Sequence, residues 1–257
     1  MIKRLTITVL IIYASAAFAE TELYLTGSAN TGYAHNPDLK SLLDDEENYY
    51  NQPSENTDKI QRKDTDSQYG YSFEPRLFLD NIGSGFFIGK QHLSKGKLSA
   101  YSSINGFWNE TFDVETVNLG INFYYKLNLS RNKRYWIILG GGCTYFSAKI
   151  DISSYEKKIS GESYLYKDSL KTTGFGAQAR TEFHFSIKQR KDWLFIGIEG
   201  KKCSKLRFKA SYEDEYGAIQ EEEIKISFSG VTLYGGLSFG IFWFVNNNNY
   251  LRLIYWL

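Results

Sequence analysis

His184 stands two residues from Glu182 and two residues from Ser186, and these three side chains come closest to a catalytic set in the chain. A histidine beside a carboxylate can act as a general base and activate a hydroxyl as a nucleophile, as in acyl transfer. Their spacing of two, however, puts all three on one face of a single strand, near one end of it. This arrangement is typical of packing inside a sheet or barrel, and we predict no catalytic residues.

Metal ligation and disulfide formation are the other chemistry to consider. His35, His92 and His184 form no pair at ligand spacing, so we predict no zinc site and no cofactor. Cys143 and Cys203 suit a disulfide in an oxidising compartment. The strands predicted below place a third strand between them, so their Cα atoms should be roughly 9 Å apart or more, beyond bridging distance. We predict two free thiols.

Alternation of apolar and polar residues is the dominant pattern of the chain and predicts β-strands. In 172–187, Phe175, Phe183 and Phe185 share one face with alanines, while the other face carries Gln178, Arg180, Glu182, His184 and Ser186. The run 117–127 behaves alike, with valine, leucine, isoleucine, phenylalanine and tyrosine at odd positions. Because a helix would mix these two sets, we predict an all-β protein.

The same alternation predicts about eight strands, near 21–34, 67–80, 86–94, 113–127, 135–150, 172–187, 193–209 and 226–244. The intervening segments alternate between long polar loops (35–66, 95–112, 151–171, 210–225) and short turns (81–85, 128–134, 188–192). Pro75 conflicts with a continuous strand because it lacks an N–H, so it implies a bulge or a local break.

The N-terminus predicts export. Lys3 and Arg4 precede an apolar run at 5–17, and Ala17-Phe18-Ala19 resembles a cleavage site, so 1–19 reads as a signal peptide; a buried N-terminal helix is the alternative. No later segment approaches the roughly 20 apolar residues of a membrane-spanning helix. The exported chain is therefore either soluble or a membrane barrel. We predict a barrel domain over 20–245 and a periplasmic tail over 246–257, with a ninth strand as the alternative for the tail.

Composition favours the barrel. Aromatic residues make up 17% of the chain, and the mean hydropathy of −0.38 is compatible with a barrel, whose apolar face takes only every second residue. The charges are balanced, with 30 Lys and Arg against 29 Asp and Glu, which excludes the strong basic excess of a nucleic-acid binder.

Aromatic residues at the strand ends next to the short turns predict a girdle at the periplasmic membrane interface. Periodicity alone does not say which face is inside, so a soluble lipocalin-type barrel is the competing interpretation. The girdle, the alternation of loop lengths and the predicted export favour the membrane. The girdle comprises Tyr124, Tyr125, Tyr135, Trp136, Phe185, Trp193 and Trp243.

The opposite face of the strands should then fill the lumen, which in an eight-stranded barrel is just wide enough for side chains. Opposite charges confined there should pair, because an unpaired buried ion is costly. We predict a structural polar network; a narrow ion path or a small-ligand site is the alternative. Its members are Glu74, Arg76, Gln178, Arg180, Glu182, His184, Glu199, Lys201, Lys205 and Arg207.

Three segments resemble the small outer-membrane β-barrel-domain family, the opacity-porin-like group. They are VNLGINFYYKLNLSRNKRYWIILGGGCTYFSAKI (117–150), TTGFGAQARTEFHFSIKQRKDWLFIGIEGKKCSKLRF (172–208) and FSGVTLYGGLSFGIFWF (228–244). The resemblance implies an eight-stranded antiparallel, up-and-down transmembrane β-barrel in the cell outer membrane. Family members range from structural proteins and adhesins to carriers of small apolar molecules, and no catalytic residues are implied. Members commonly end in an aromatic residue on the last strand, whereas this chain continues beyond Phe244.

These observations lead us to expect a non-enzymatic outer-membrane protein with a structural or surface-interaction role through its long extracellular loops. A narrow porin, a carrier of small apolar molecules and a lipid-modifying enzyme are the alternatives. Expected partners are outer-membrane lipid and lipopolysaccharide, periplasmic chaperones and the barrel-assembly machinery. The acidic stretches at 44–47 and 221–223 are either solvated loops or sites where Ca²⁺ or Mg²⁺ bridges to lipopolysaccharide phosphates.

Overall fold

The computed structural model describes residues 21–34, 36–64, 66–130, 134–187, 192–213 and 219–244. The predicted signal peptide (1–19) and the predicted tail (246–257) lie outside these ranges, so both stay predictions. No helix among the described residues combines the length and the apolar character needed to cross a bilayer.

The described residues form one α-helix, one 3-10 turn and twelve β-strands. The helix, α1, is Pro37–Tyr50, and the 3-10 turn is Pro53–Glu55. The strands are β1 (Thr21–Ala34), β2 (Lys59–Lys63), β3 (Ser67–Leu79), β4 (Ile82–Leu93), β5 (Gly96–Ser102), β6 (Gly106–Asn128), β7 (Tyr135–Lys157), β8 (Ser163–Ser186), β9 (Asp192–Cys203), β10 (Leu206–Glu213), β11 (Ile219–Ile226) and β12 (Gly230–Phe244).

Eight of these strands close into a ring. The order around the ring is β1, β3, β4, β6, β7, β8, β9 and β12, and β12 pairs back onto β1, with every neighbour antiparallel. Closure gives each of these strands a partner on both sides, as a barrel requires. The predicted fold, an eight-stranded antiparallel up-and-down barrel, is confirmed.

The alternating pattern settles which face of the barrel points outward. On β6, Val117, Ile121, Phe123, Tyr125 and Leu127 are exposed on the outside, while the even-numbered residues between them face the lumen. This apolar stretch of 11 residues (117–127) matches the roughly 9–11 residues with which a tilted strand crosses a bilayer. An apolar outside around a polar inside is the reverse of a soluble lipocalin-type barrel, so the structure excludes that alternative.

The two ends of the barrel differ in their connections. At one end, named here the short-turn end, 80–81, 129–134 and 187–191 join successive ring strands, and Thr21 pairs with Phe244. At the other, the long-connection end, 35–66, 94–105, 158–162 and 204–229 join them. The alternation of long loops and short turns that the sequence predicts is therefore present.

The long connections are more structured than the sequence predicted. The segment 35–66 contains α1 and β2, while 95–112 forms β5 and the start of β6. The segment 151–171 continues β7 and β8 as one hairpin. The predicted strand 193–209 is wrong. The ring strand β9 ends at Cys203, and 206–213 pairs with 219–226 as the separate hairpin β10–β11.

Helix α1 lies over the long-connection end. Its start is favoured by Pro37, whose missing N–H costs nothing in the first turn of a helix. Leu39 and Leu43, four residues apart, lie on the same face and are fully buried. Arg62 on β2 is joined to the helix through salt bridges to Asp44 and Glu47.

Pro75 interrupts the sheet on one side only. It keeps its place opposite Leu25 on β1, whereas pairing between β3 and β4 stops after Phe73–Ile88 and resumes at Arg76–Gly85 in the same register. Proline offers no N–H for the missing bond. The predicted local break is therefore present, without a bulge between β3 and β4.

Candidate functional site

Arg76 and Glu182 form the centre of the lumen. They lie on β3 and β8, which stand four strands apart in the ring of eight and hence on opposite walls. Arg76 donates from Nη1 to Glu182 Oε2 at 2.6 Å and from Nη2 to Glu182 Oε1 at 2.8 Å. Arg76 is 2% exposed and Glu182 0%. This bidentate geometry is the strongest form of an arginine–carboxylate pair, and it ties the two walls together.

Glu74 is a second acceptor beside this pair. Its Oε2 accepts from Arg76 Nε at 3.0 Å and from Arg180 Nη1 at 3.2 Å. Its Oε1 accepts from Asn122 Nδ2 at 2.8 Å and from the Tyr124 hydroxyl. Glu74 therefore links three strands of the ring, and its buried charge is fully hydrogen-bonded.

The remaining lumen charges also pair. Arg180 donates to Glu199 at 2.7 Å, and Lys201 lies 3.1 Å from the same carboxylate. Lys126 pairs with Glu22 near the short-turn end. Among the described lumen residues, four carboxylates (Glu22, Glu74, Glu182, Glu199) thus face four cations (Arg76, Lys126, Arg180, Lys201). This balance removes the fixed net charge that would draw one type of ion into the lumen.

His184 belongs to this packing. Its Nε2 lies 2.7 Å from Glu182 Oε2, its ring stacks on Phe195 at 4.9 Å, and it is buried. Glu182 accepts a further hydrogen bond from the Tyr234 hydroxyl at 2.8 Å. Glu182 thus already binds Arg76 and Tyr234, and His184 lies too deep for a lipid to reach. The geometry favours a structural role for His184.

Three aromatic residues of the predicted girdle lie inside the barrel instead. Tyr124, Trp136 and Trp193 are buried, and with Tyr24, Phe78 and Ile138 they form an apolar layer across the short-turn end of the lumen. Tyr125 and Tyr135 are exposed on the outside, and Phe185 is half-buried. The side chain of Trp243 lies outside the described part of the structure. The correction follows from alternation, because each of these buried residues is next in sequence to one that points outward: Tyr125, Tyr135 or Leu194.

Two members of the predicted lumen network do not lie in the lumen. Lys205 follows the break after β9 and is exposed at the long-connection end. Arg207 is on β10, outside the ring, with its side chain 68% exposed and 3.5 Å from Glu223. Both were assigned to a continuous seventh strand that in fact ends at Cys203. The other predicted members lie inside the barrel: Glu74, Arg76, Gln178, Arg180, Glu182, His184, Glu199 and Lys201.

The sequence interpretation missed several lumen residues. Glu22, Asn122, Lys126 and Tyr234 all face inward and bind the charges described above. Each occupies a position of the same parity as the inward residues of its own strand. Strand parity, applied to every strand, would have found them.

A buried apolar cluster, named here the outer core, closes the long-connection end. Leu39 and Leu43 of α1 pack there against β-strands of the ring and of the β10–β11 hairpin. Phe146 and Phe228 stack within it at 6.4 Å. Its members are Ala34, Leu39, Leu43, Leu93, Leu98, Phe112, Val114, Phe146, Ala148, Ile150, Cys203, Leu206, Phe208, Ile224, Ile226 and Phe228.

Little space is left between these layers. Two cavities among the lumen residues have volumes of about 20 and 10 Å³. A cavity of that size holds about one water molecule. An aromatic layer, an ionic layer and an apolar outer core therefore follow one another through the described lumen, from the short-turn end to the long-connection end.

Glycine makes this packing fit at one position in particular. A Cβ on Gly140 of β7 would lie 2.6 Å from two ring carbons of Tyr124. Gly140 thus provides the space in which the Tyr124 ring turns towards Glu74.

The two cysteines are free, as predicted. Cys143 on β7 is exposed and Cys203 on β9 is buried, with β8 between these two strands. Burial raises the pKa of the Cys203 thiol, whose position in the outer core lies beyond the apolar band. The Cys203 thiol is therefore a packing element of the outer core.

A row of charged residues marks where the outward apolar band ends towards the long-connection end. Lys90 on β4, Glu115 on β6, Lys149 on β7 and Lys171 on β8 all point outward. Lys90 pairs with Glu115 at 2.7 Å. Lys149 and Lys171 stand directly opposite each other on neighbouring strands. Lys149 also pairs with Asp151 at 2.7 Å, so the three lysines exceed the two carboxylates Glu115 and Asp151 by one positive charge.

Comparison with known proteins finds similarity of shape only. No protein-family model and no curated protein matches the chain. Among solved structures, Neisserial surface protein A is 12% identical with a TM-score of 0.45, over 84% of this chain and 96% of that one. A major outer membrane protein from Thermus thermophilus is 8% identical with a TM-score of 0.48, over 86% and 98%. The outer membrane protease OmpT from Escherichia coli is 10% identical with a TM-score of 0.41, over 86% and 95%.

Identities and TM-scores this low carry nothing about the activity of this chain. The assignment follows instead from its own architecture: a closed antiparallel ring, an outward apolar band and a charged, filled lumen. These are the features of barrels of the bacterial outer membrane. The chain is an eight-stranded transmembrane β-barrel of the outer-membrane type.

Proposed function

We propose that this protein is a non-enzymatic, non-conducting outer-membrane barrel that holds a rigid structured region at the cell surface for contact with other molecules. The observation that carries the proposal is the cross-barrel pair between Arg76 and Glu182, together with the outer core above it. A lumen closed by a bidentate ion pair leaves no continuous path for solutes. It also stiffens the barrel that supports the long-connection end.

The lengths of β6, β7 and β8 support a role in holding a structured region beyond the membrane. These strands have 23, 23 and 24 residues, about twice what a membrane crossing needs. Beyond Glu115, β6 continues to Gly106, roughly 30 Å further along the strand. There it pairs with β5, and β5 pairs with β2. Five strands (β2, β5, β6, β7, β8) thus extend the barrel wall as a sheet beyond the membrane.

No accessible catalytic set lies among the described residues, which supports a non-enzymatic role. Of the described histidines, His184 is enclosed in the lumen, and His92 lies on the outside of β4 with its ring stacked on Tyr69 at 5.3 Å. His92 Nδ1 lies 3.8 Å from Glu115, whose carboxylate is paired with Lys90. His184 borders a cavity of only about 10 Å³. A lipid-modifying enzyme would need such a set within reach of lipid.

The charged row beyond the apolar band suits outer-membrane lipid. We infer that Lys90, Lys149 and Lys171 contact the phosphates of lipopolysaccharide headgroups, since these side chains point outward at the level where headgroups begin. Delivery by periplasmic chaperones and insertion by the barrel-assembly machinery are part of the same proposal.

Tag accessibility on whole cells, combined with solute flux, tests the proposed function. A peptide tag is placed at Gly161, the exposed tip between β7 and β8, and in a control variant at 131–133, between β6 and β7 in the sequence. We expect antibody to reach the first tag on intact cells and the second only after permeabilisation. Liposomes containing the purified protein should not swell in small sugars.

Three results would overturn the proposal. The reverse accessibility of the two tags would put the structured region inside the cell envelope. Rapid liposome swelling would make the protein a pore. Hydrolysis or acyl transfer on lipopolysaccharide or phospholipid by the purified barrel would make it an enzyme.

A further inference from the structure

An open groove lies at the tip of the long-connection end. Its volume is about 690 Å³, and it is enclosed by the end of α1, the β5–β6 turn and the β7–β8 turn. Because these three segments come from three different connections, the groove exists only when the connections of the long-connection end, named here the outer region, are folded together. Its lining includes Tyr49, Tyr101, Trp108, Glu55, Glu156 and Ile159.

Aromatic rings form one wall of the groove. Tyr50 packs on Trp108 with ring centroids 4.5 Å apart, and Tyr49 meets Tyr50 edge-on at 5.2 Å. Tyr49 and Tyr101 are each 49% exposed. The faces of such rings carry negative electrostatic potential and attract cations.

Carboxylates surround these rings. Glu55 and Glu156 line the groove, and neither forms a salt bridge with a residue in the described ranges. Glu55 raises the pKa of Tyr49, and burial together with Glu46, Glu110 and Glu156 raises the pKa of Tyr50. Lys158 also lines the groove, but its ammonium lies 5.1 Å from the Tyr164 ring. The groove is therefore both aromatic and negative.

The groove is held in shape by its own hydrogen bonds. Asn105 Nδ2 donates to the backbone carbonyl of Glu55 at 2.8 Å, which ties the β5–β6 turn to the segment after α1. Asp58 accepts from the Ser103 backbone N–H at 2.6 Å in the same turn. A preformed site loses less conformational entropy when it binds.

We propose that this groove binds a positively charged segment of a partner protein, with arginine or lysine side chains over Tyr49 and Tyr101 and paired with Glu55 and Glu156. The inference rests on the proposed function, because it needs this end of the barrel to face the outside. Charge complementarity selects this occupant: an acidic polymer would be repelled by the carboxylates. A neutral saccharide would gain nothing from Glu55 and Glu156 as charges.

The test is peptide binding to the intact barrel in zwitterionic micelles. The probe is a fluorescent hexa-arginine peptide, and its control is the matching hexa-citrulline peptide, which keeps the shape and hydrogen-bonding ability but lacks the charge. We expect saturable binding of hexa-arginine that weakens with added salt, and no binding of hexa-citrulline. Glu55→Gln combined with Glu156→Gln should weaken binding about tenfold or more, and Tyr101→Ala should weaken it several-fold.

Matched control variants on the same outer region are Glu162→Gln and Tyr166→Ala, both exposed and outside the groove. We expect them to bind hexa-arginine as the natural chain does. Every variant should also retain the folded, heat-modifiable band, that is, the gel band of the unboiled protein that migrates differently after boiling. Equal binding by all variants would overturn the inference. So would equal binding of hexa-citrulline, or saturable binding of maltoheptaose that Tyr101→Ala abolishes while hexa-arginine does not bind.

The two proposals fail in different ways. If the tag at Gly161 is accessible on intact cells but hexa-arginine does not bind, the groove inference is wrong and the proposed function stands. If that tag is accessible only after permeabilisation, the proposed function is wrong whatever the peptide does.

Discussion

Arg76 and Glu182, 106 residues apart in the sequence, join opposite walls of the barrel through two parallel hydrogen bonds of 2.6 and 2.8 Å. Neither residue is within reach of solvent. Because burial of one charge without the other is strongly unfavourable, each residue holds the other in the lumen. The pair therefore closes the barrel and couples β3 to β8, which share no backbone hydrogen bonds.

Substitution of one partner should destabilise the barrel far more than substitution of both. Arg76→Leu leaves Glu182 buried without its cation, and we expect a loss of about 3–5 kcal/mol in the free energy of unfolding. Arg76→Leu combined with Glu182→Leu removes both charges and should recover part of that loss. Urea unfolding in lipid vesicles measures the free energy of unfolding of the three variants. If the losses of the single variants simply add in the double variant, the two side chains are not coupled.

Arg207 and Glu223 offer the matched control for this comparison of single and double variants. They form an ion pair at 3.5 Å outside the ring, where Arg207 is largely exposed. Exposed pairs contribute about 0–1 kcal/mol, so Arg207→Leu, Glu223→Leu and the double variant should unfold almost as the natural chain does.

Gly140 should tolerate no side chain. A Cβ there would contact the Tyr124 ring at 2.6 Å, so Gly140→Ala should push Tyr124 away from Glu74 and lower the unfolding midpoint in urea. Gly200→Ala is the control, because a Cβ at Gly200 meets no atom within 4 Å. Equal midpoints for Gly140→Ala and the natural chain would show that the lumen packs more loosely than described.

Alternation predicted the ring well because it reports directly which residues face lipid. On β8, Phe175 and Phe183 point out while Arg180 and Glu182 point in, as their positions in the sequence predict. The same rule identifies Trp193 as inward, since Leu194 and Ile196 beside it are outward. Trp193 was assigned to the girdle on its position near a strand end, and parity is the stronger signal.

The outer region was harder to predict because it does not meet lipid. From Asp151 to Glu156, the residues of β7 are partly exposed on both faces, so the alternation of buried and exposed residues is lost although the pairing with β8 continues. Helix α1 did leave a signal: Pro37 followed by Leu39, Leu42 and Leu43 has helical spacing. Its place over the lumen depends on contacts with β11, which is far away in the sequence, and with β5.

Lys171 should matter only when anionic lipid is present. In detergent, Lys171→Gln should change the stability of the barrel little, because Lys149 opposite it is already paired with Asp151 at 2.7 Å. Added lipopolysaccharide should raise the midpoint of the heat-modifiability transition of the natural chain, and raise that of Lys171→Gln less. Lys59→Gln, on β2 far from the row, is the control. If lipopolysaccharide raises all three midpoints equally, the row does not bind headgroup phosphates.

Planar-bilayer recording of the purified, heat-modifiable protein tests the central claim most directly. The lumen contains the Arg76–Glu182 bridge between an aromatic layer and the outer core, and its cavities of about 20 and 10 Å³ hold about one water molecule each. We predict no steady conductance at any applied voltage that the bilayer withstands. A large, stable open-channel current from the same folded protein would contradict the account.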